Sequence, residues 1–149
     1  AALYRAVLTA AQMAREDRNR SLISQVIAPA NYLNQPVTVI EQVLSGKYAD
    51  GLGNVKSDPK RADFDPFPWH SMAVWILTQM KRWGYIKGEV NYKQIAEQVF
   101  LVTEARKRMA ELNQKAPTTS YTKFKVMGKE FDPAKPEAYV SSFPIKKLA

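Results

Sequence analysis

The segment Pro68-Trp69-His70-Ser71 combines residue types that could bind a small anion. Ser71 is suited to the start of a helix, where free N–H groups and the positive end of the helix dipole favour negative charge. His70 could donate a hydrogen bond, and Trp69 could form an apolar wall. The sequence therefore predicts His70, Ser71 (through its backbone amide) and Trp69 as ligand-binding residues. The alternative is that His70 and Trp69 only pack inside the fold.

Other side chains give little support for catalysis or metal binding. The sequence has no cysteine and a single histidine, which excludes disulfides, cysteine-ligated zinc and a site of several histidines. No nucleophile-elbow, zinc-protease or phosphate-loop motif occurs. The acidic residues Asp58, Asp63 and Asp65 lack the spacing of an EF-hand loop. We therefore predict no catalytic residue, no metal, no cofactor and a non-enzymatic role.

Basic residues exceed acidic ones, 22 against 14, for a net charge of +8. The run Arg106-Lys107-Arg108, the lysines that follow it and the nearby aromatics Tyr121 and Phe124 could form a nucleic-acid footprint. These cations are spread over a predicted helix and a predicted hairpin without a known binding motif. We therefore expect no nucleic acid as a partner. A basic helical module that binds nucleic acid or a protein is kept as an alternative, beside a merely soluble surface.

The elements that position these residues are mostly helical. With 149 residues, of which 46% are hydrophobic, the chain is long enough for one domain, and we treat 1–149 as a single segment. Helical spacing predicts helices over 2–15, around 22–27, up to Gly46, from Ser71 to Trp83, and after Asn91 and Thr103. Alternating residues around Gly128 predict a hairpin over 124–131. Pro136 is predicted to begin a last helix, and the residues Pro144-Ile145-Lys146-Lys147 to form an extended tail. The predicted class is mostly α-helical with minor β (α/β).

The predicted helix after Ser71 is apolar almost all round. Its stripe consists of Met72, Trp75, Ile76, Met80 and Trp83. Three further apolar residues cover much of the remaining surface, which predicts a central, buried helix. No apolar run approaches the ~20 residues of a membrane span, so we expect no membrane insertion.

Residues 47–69 show no helical or strand periodicity and are rich in Gly, Pro and Asp. We predict a long loop between elements. Such a loop is uncommon in a compact domain unless it is functional, so it could cross between lobes or line a pocket. A plain surface excursion is the alternative. The first residues, Ala1-Ala2-Leu3-Tyr4, have no initiator Met and read as the inside of a helix, so we expect a processed chain or a fragment.

Two blocks of sequence carry a family resemblance. Residues 67–84, FPWHSMAVWILTQMKRWG, and residues 131–139, FDPAKPEAY, followed by Ile145-Lys146-Lys147, resemble the late part of the nitrate/bicarbonate-type solute-binding proteins of ABC importers. The resemblance implies that the chain is the C-terminal portion of a two-lobed fold like that of periplasmic binding proteins. It implies a small anion such as nitrate, nitrite or bicarbonate, held in the inter-lobe cleft. The implied partners are the transporter permease and a missing N-terminal half, which could be a separate chain.

The ligand pattern of this family is not reproduced at the motif. The residue before the motif's Ser is a lysine in nitrate-binding relatives and tends to be acidic in bicarbonate-binding ones, whereas here it is His70. The family's His after that Ser is Met72 here. The identity of the ligand therefore stays open.

The resemblance also admits two cellular locations. It implies a periplasmic protein. The alternative is a regulatory domain fused to the transporter ATPase subunit at the cytoplasmic face of the inner membrane, without the ATPase itself because no Walker motif is present.

Overall fold

A computed structural model describes residues 2–144 of the chain, which are mostly helical with two short β-hairpins. The helices are α1 (Ala2–Arg15), α2 (Arg20–Ile27), α3 (Val37–Ser45), α4 (His70–Arg82), α5 (Tyr92–Val99), α6 (Val102–Glu111) and α7 (Pro136–Ser141), with a 3₁₀ turn at Asp17–Asn19. The strands are β1 (Lys47–Ala49), β2 (Val55–Ser57), β3 (Phe124–Val126) and β4 (Lys129–Phe131). The prediction of a mostly helical chain with minor β structure is confirmed. The predicted tail from Ile145 onwards lies outside the described residues.

Asn91 and Gly46 bound their helices as predicted, whereas Ser71, predicted to start its helix, is the second residue of α4, whose N-cap is Trp69. Asn91 caps α5, because its Oδ1 accepts a hydrogen bond from the Gln94 amide at 3.2 Å and its Nδ2 donates to Gln94 Oε1 at 3.0 Å. Gly46 ends α3 with φ of 71°, a left-handed conformation in which glycine is favoured. The predicted hairpin over 124–131 is also present, with Phe124 opposite Phe131.

Residues 47–69 are not a loop throughout. Strands β1 and β2 pair antiparallel, with Lys47 opposite Ser57 and Ala49 opposite Val55. The Asp50 carboxylate closes the turn between them, accepting hydrogen bonds from the amides of Leu52 (2.8 Å) and Asn54 (3.2 Å). Both strands are largely exposed and five residues separate them, so no alternating apolar pattern marks them in the sequence, which is why the sequence predicts only a loop here.

The chain forms two compact units, Ala1–Pro66 and Phe67–Ala149. The boundary falls inside the segment 47–69. The second unit has a core in which α4 packs against α5 and α7. Its buried members are Ala73, Val74, Tyr92, Ala96, Phe131 and Tyr139. The ring of Phe131 is fully buried and lies 5.2 Å from Phe124 and 4.9 Å from Tyr139, centroid to centroid.

The prediction that the apolar stripe of α4 is buried is wrong. Its buried residues are His70, Ser71, Ala73, Val74, Thr78 and Gln79. Met72, Ile76 and Met80 are 42%, 42% and 38% exposed, and Trp83, expected in the core, is 51% exposed. Three of the buried polar side chains, those of His70, Thr78 and Gln79, are hydrogen-bonded; Thr78 Oγ1, for example, donates to the Trp75 carbonyl at 2.6 Å. The helix therefore buries a face that is partly polar and exposes the apolar one.

Candidate functional site

The start of α4 is held by the residues that precede it. Trp69 occupies the N-cap position in an extended conformation, with φ of −62° and ψ of 119°. Phe67 is buried, and its ring meets that of the half-buried Trp69 edge-on with centroids 4.9 Å apart. This aromatic pair fixes the direction from which the chain enters the helix. It leaves Trp69 at the helix start, where the sequence predicts an apolar wall.

His70 is buried, with both ring nitrogens engaged by the protein. Its Nε2 lies 2.9 Å from the Phe100 carbonyl, which can only accept, so Nε2 carries a proton and donates. Its Nδ1 lies 2.9 Å from the Ser120 hydroxyl, and the ring contacts Tyr121 at 5.2 Å. A ligand could receive a hydrogen bond from His70 only if one of these contacts broke. In this arrangement His70 joins the start of α4 to the segments around residues 100 and 120.

Ser71 is buried, with 1% of its surface exposed, and its backbone amide and its hydroxyl differ in their hydrogen bonding. Its amide, expected to face a ligand, donates to the Ser120 carbonyl at 3.2 Å. Its hydroxyl Oγ is buried without a hydrogen-bond partner among the described residues. An unsatisfied buried hydroxyl costs about 1–3 kcal/mol, so such a group in a native protein calls for a partner. The sequence singled out the Ser71 amide, which the protein itself uses; the hydroxyl, which it did not single out, is the group without a partner.

A groove of about 690 Å³ lies beside His70, and its chemistry is unfavourable for an anion. Its lining includes the carboxylates of Glu97 and Glu104 and contains no Lys or Arg. The Tyr121 hydroxyl donates to Glu97 at 3.3 Å, and burial together with this carboxylate raises the pKa of Tyr121 to about 12. The groove beside His70 therefore offers carboxylates rather than cations to a ligand.

Ser120 and Phe100 complete the site, although sequence reasoning missed both. Ser120 lies 50 residues after His70 and supplies two contacts, one through its hydroxyl and one through its carbonyl. Phe100 supplies only a carbonyl, so its side-chain type is not informative. No local sequence signal could have identified either residue.

Three of the basic residues that suggested a nucleic-acid footprint, Arg106, Arg108 and Lys123, are engaged within the fold. Arg106 donates to the carbonyls of Pro117 (3.1 Å) and Thr118 (2.9 Å). Arg108 forms ion pairs with Glu104 and Glu111, and its pKa is raised, chiefly by the hydrogen bond to Glu111. Lys123 pairs with Asp132 at 2.9 Å. These three cations are therefore committed to contacts within the protein.

Within residues 2–144, no group of three or more His, Asp or Glu side chains is placed to hold a metal ion. In the same part of the chain, no helix is both long and apolar enough to cross a membrane. The acidic residues of the segment 47–69 do not converge; Asp63, for instance, pairs with Arg15 at 3.4 Å.

Comparison with known proteins gives related sequences, although no protein-family model matches the chain. It is 28% identical to the nitrate/nitrite binding protein NrtA of Nostoc sp., over 99% of this chain and 36% of the relative. It is 26% identical to the bicarbonate-binding protein CmpA of Synechococcus elongatus, over 98% and 36%. It is 28% identical to the nitrate import ATP-binding protein NrtC of Synechocystis sp., over 98% and 23%.

A solved structure matches as well. The crystal structure of the periplasmic nitrate-binding protein NrtA from Synechocystis superposes with a TM-score of 0.88 at 26% identity, covering 97% of this chain and 40% of that one. The chain thus spans about a third of the length of the curated binding proteins that it matches. The resemblance carried by the two sequence blocks is confirmed: over nearly its whole length this chain is similar in sequence and fold to part of a nitrate/bicarbonate-type ABC solute-binding protein.

Proposed function

We propose that this chain forms part of a non-enzymatic solute-binding protein of an ABC importer, and that the start of α4 helps to bind a small oxyanion. One observation carries the proposal: a buried hydroxyl without a partner, Ser71 Oγ, in the first turn of a 13-residue helix. The relatives named for binding nitrate, nitrite or bicarbonate support this class of ligand. The importer's permease is the proposed partner and the periplasm the proposed location.

In this proposal Ser71, His70 and Trp69 have different roles. Ser71 Oγ donates a hydrogen bond to an anion oxygen, and the amide dipoles of α4 add positive potential there. A hydrogen bond to a charged group contributes about 1.5–3 kcal/mol. His70, held by Ser120 and Phe100, fixes the position of the helix start, and Trp69 provides an apolar side. The remaining anion contacts come from the other lobe, which closes over the ligand.

Replacing Ser71 by alanine tests this proposal. In the protein produced from the natural gene, Ser71→Ala should weaken binding of the preferred oxyanion about tenfold or more, because the hydrogen bond to the charge is lost. Isothermal titration with nitrate, nitrite and bicarbonate, and with chloride as reference, measures the effect.

Ser24→Ala is the matched control. Ser24 is also fully buried, but its hydroxyl donates to the Arg20 carbonyl at 2.9 Å within α2. We expect this variant to bind the anion as the parent protein does. Unchanged affinity in Ser71→Ala, or a parent protein that binds none of the three oxyanions, would contradict the proposal.

A second candidate is a regulatory domain of the transporter ATPase subunit. The similarity to a nitrate import ATP-binding protein over 98% of this chain favours it specifically. The two candidates differ in compartment. Fractionation of cells that carry the natural gene should release the protein with the periplasmic contents if the first is right. Recovery with the cytoplasmic face of the inner membrane, together with an ATPase subunit, would favour the second.

A further inference from the structure

A groove of about 680 Å³ lies beside α5 in the second unit. It is lined by residues 90–97, which include the first turns of α5, by the segment 133–136, and by Val74 and Tyr121. We call it the α5 groove. Pockets of about 300–1,000 Å³ hold small organic molecules, usually with an apolar lining and a few polar groups. Glu97 also lines the groove beside His70, whereas Ser71 is not among the described residues that line either.

Part of the α5 groove is apolar. Val74 belongs to the core of the second unit, and Pro133 and Pro136 have neither a polar side-chain atom nor a backbone N–H. Tyr92 adds its ring, because its hydroxyl is engaged elsewhere and donates to Glu137 at 2.8 Å. An apolar group can therefore leave water here without depriving any of these side chains of a hydrogen bond.

Two opposite charges also line the α5 groove. Lys93 carries the positive charge and Glu97 the negative one, and the other described residues of the lining are uncharged. The two residues are four positions apart on one helix, a spacing at which ion pairs form, although Lys before Glu is the weaker order. Here they do not pair with each other, and the Lys93 ammonium has no partner among residues 2–144. Both charges are thus available to a ligand.

Tyr121 helps to hold the Glu97 carboxylate at the groove. Its hydroxyl donates to Glu97 Oε1 at 3.3 Å. A carboxylate has about four acceptor sites, so this bond leaves capacity for an ammonium group. Residues four apart on a helix have Cβ atoms about 5–6 Å apart, so the ends of Lys93 and Glu97 can reach the same small molecule. The molecule that complements both is a small zwitterion.

We propose that the α5 groove binds an apolar α-amino acid. The ammonium group of the ligand pairs with Glu97 and its carboxylate pairs with Lys93. Its side chain packs against Val74, Tyr92 and Pro136. A ligand with a single charge would leave one of the two protein charges unpaired, and a ligand without an apolar part would leave the apolar lining in water. This site goes beyond the proposed function, because it needs neither Ser71 nor an oxyanion.

Isothermal titration of the protein produced from the natural gene, with three ligands of similar size, tests this proposal. L-Phenylalanine carries both charges, phenethylamine lacks the carboxylate, and 3-phenylpropionate lacks the ammonium group. We expect a Kd for phenylalanine below about 1 mM. The other two ligands should bind about tenfold more weakly or worse, because each loses a charge-assisted hydrogen bond.

Two substitutions test the two charges separately. In Glu97→Gln, which keeps an acceptor for Tyr121, phenylalanine should bind no better than 3-phenylpropionate, because its ammonium group has lost its charged partner. In Lys93→Gln, phenylalanine should bind no better than phenethylamine. Lys107→Gln is the matched control: it removes an exposed lysine of α6 that is not part of the groove lining, and we expect it to retain both preferences.

Three results would overturn the proposal. Phenylalanine could fail to bind at millimolar concentration, which would show that the groove is not a site for it. The three ligands could bind equally, which would show that the two charges recognise nothing. Ser71→Ala could abolish phenylalanine binding, which would place the ligand carboxylate at the oxyanion site. Retained phenylalanine binding in Ser71→Ala supports the α5 groove whether or not an oxyanion binds, so the two proposals fail separately. The comparison of the three ligands in the parent protein is decisive even if a variant does not fold.

Discussion

The side chains at the start of α4 differ in how much of their hydrogen-bonding capacity the protein itself uses. Both ring nitrogens of His70 are occupied, whereas the buried hydroxyl of Ser71 has no partner among the described residues. A satisfied polar group stabilises the fold, and an unsatisfied one is available to a ligand. Histidine is the more reactive residue type, yet serine is the better candidate here because of its environment. The prediction that Ser71→Ala weakens oxyanion binding depends on this single side chain.

Tyr121 gives a second prediction at the residue scale, beside the ring of His70. Burial, together with the Glu97 carboxylate, raises its pKa from the ordinary 10.0 to about 12. The folded state thus holds this proton more tightly than the unfolded chain. The contribution of Tyr121 to stability is fully present below pH 10 and should be lost as the pH rises towards 12. Ultraviolet absorbance of tyrosinate, followed during an alkaline titration, should show one fewer late-ionising tyrosine in Tyr121→Phe.

Glu97→Gln provides the matched comparison for that titration. It retains an acceptor for the Tyr121 hydroxyl but removes the negative charge. The ionisation of Tyr121 should then move to lower pH without reaching the ordinary value, because burial is the larger cause of the shift. If the alkaline titration curve of Tyr121→Phe superimposed on that of the parent protein, Tyr121 would not be a late-ionising tyrosine.

At the scale of elements, side-chain hydrogen bonds join helices that are far apart along the chain. Glu137 on α7 accepts hydrogen bonds from Lys81 on α4 (2.7 Å) and from Tyr92 on α5 (2.8 Å). Burial acts to raise the pKa of Glu137, but these two donors outweigh it and the pKa lies below its usual range. One carboxylate therefore ties three helices of the second unit together.

The prediction at the scale of elements concerns Gly46 at the end of α3. This position needs both a left-handed backbone and the absence of a Cβ atom. Its φ is 71°, and a Cβ there would lie only 1.8 Å from the Asp58 carbonyl oxygen. Gly46→Ala should therefore lower the free energy of unfolding by more than about 2 kcal/mol, the sum of backbone strain and a backbone clash. Urea denaturation followed by circular dichroism measures the loss.

Gly53→Ala separates these two contributions. Gly53 has φ of 88°, but nothing lies within 4 Å of its would-be Cβ. Its substitution should cost only the strain of the left-handed conformation, about 1–2 kcal/mol. Equal losses for the two variants would show that the approach of Asp58 to Gly46 is not maintained in solution.

At the scale of the whole molecule, each compact unit exposes apolar helix faces. In the first unit these include Val7 on α1, Leu22 and Val26 on α2, and Val43 on α3, which are between 47% and 55% exposed. In the second unit the main examples are Met72, Ile76 and Met80 on α4, which are 42%, 42% and 38% exposed. Single exposed apolar residues are ordinary, but helix faces of this kind are typical of interfaces. They fit a chain that spans about a third of the length of its curated relatives.

Much of the secondary structure was predictable because its signals are local. The Asn91 cap, the Gly46 terminus and the hairpin between Phe124 and Phe131 each depend on residues within a few positions of one another. The β1–β2 hairpin was not predictable, since its strands are largely exposed and carry no alternating apolar pattern. The motif around His70 and Ser71 indicated a helix start and the family resemblance. It did not reveal which polar groups stay free.

The sequence by itself determined the helical class, several helix termini and the family resemblance, because local spacing and two sequence motifs are sufficient for these. Only the tertiary structure decided which side of α4 is buried, since periodicity marks an apolar face but not what lies against it. It also decided the roles of His70 and Ser71, through Ser120 and Phe100, which lie 50 and 30 residues from His70 along the chain. Contacts over such separations are made by folding, and no local pattern records them.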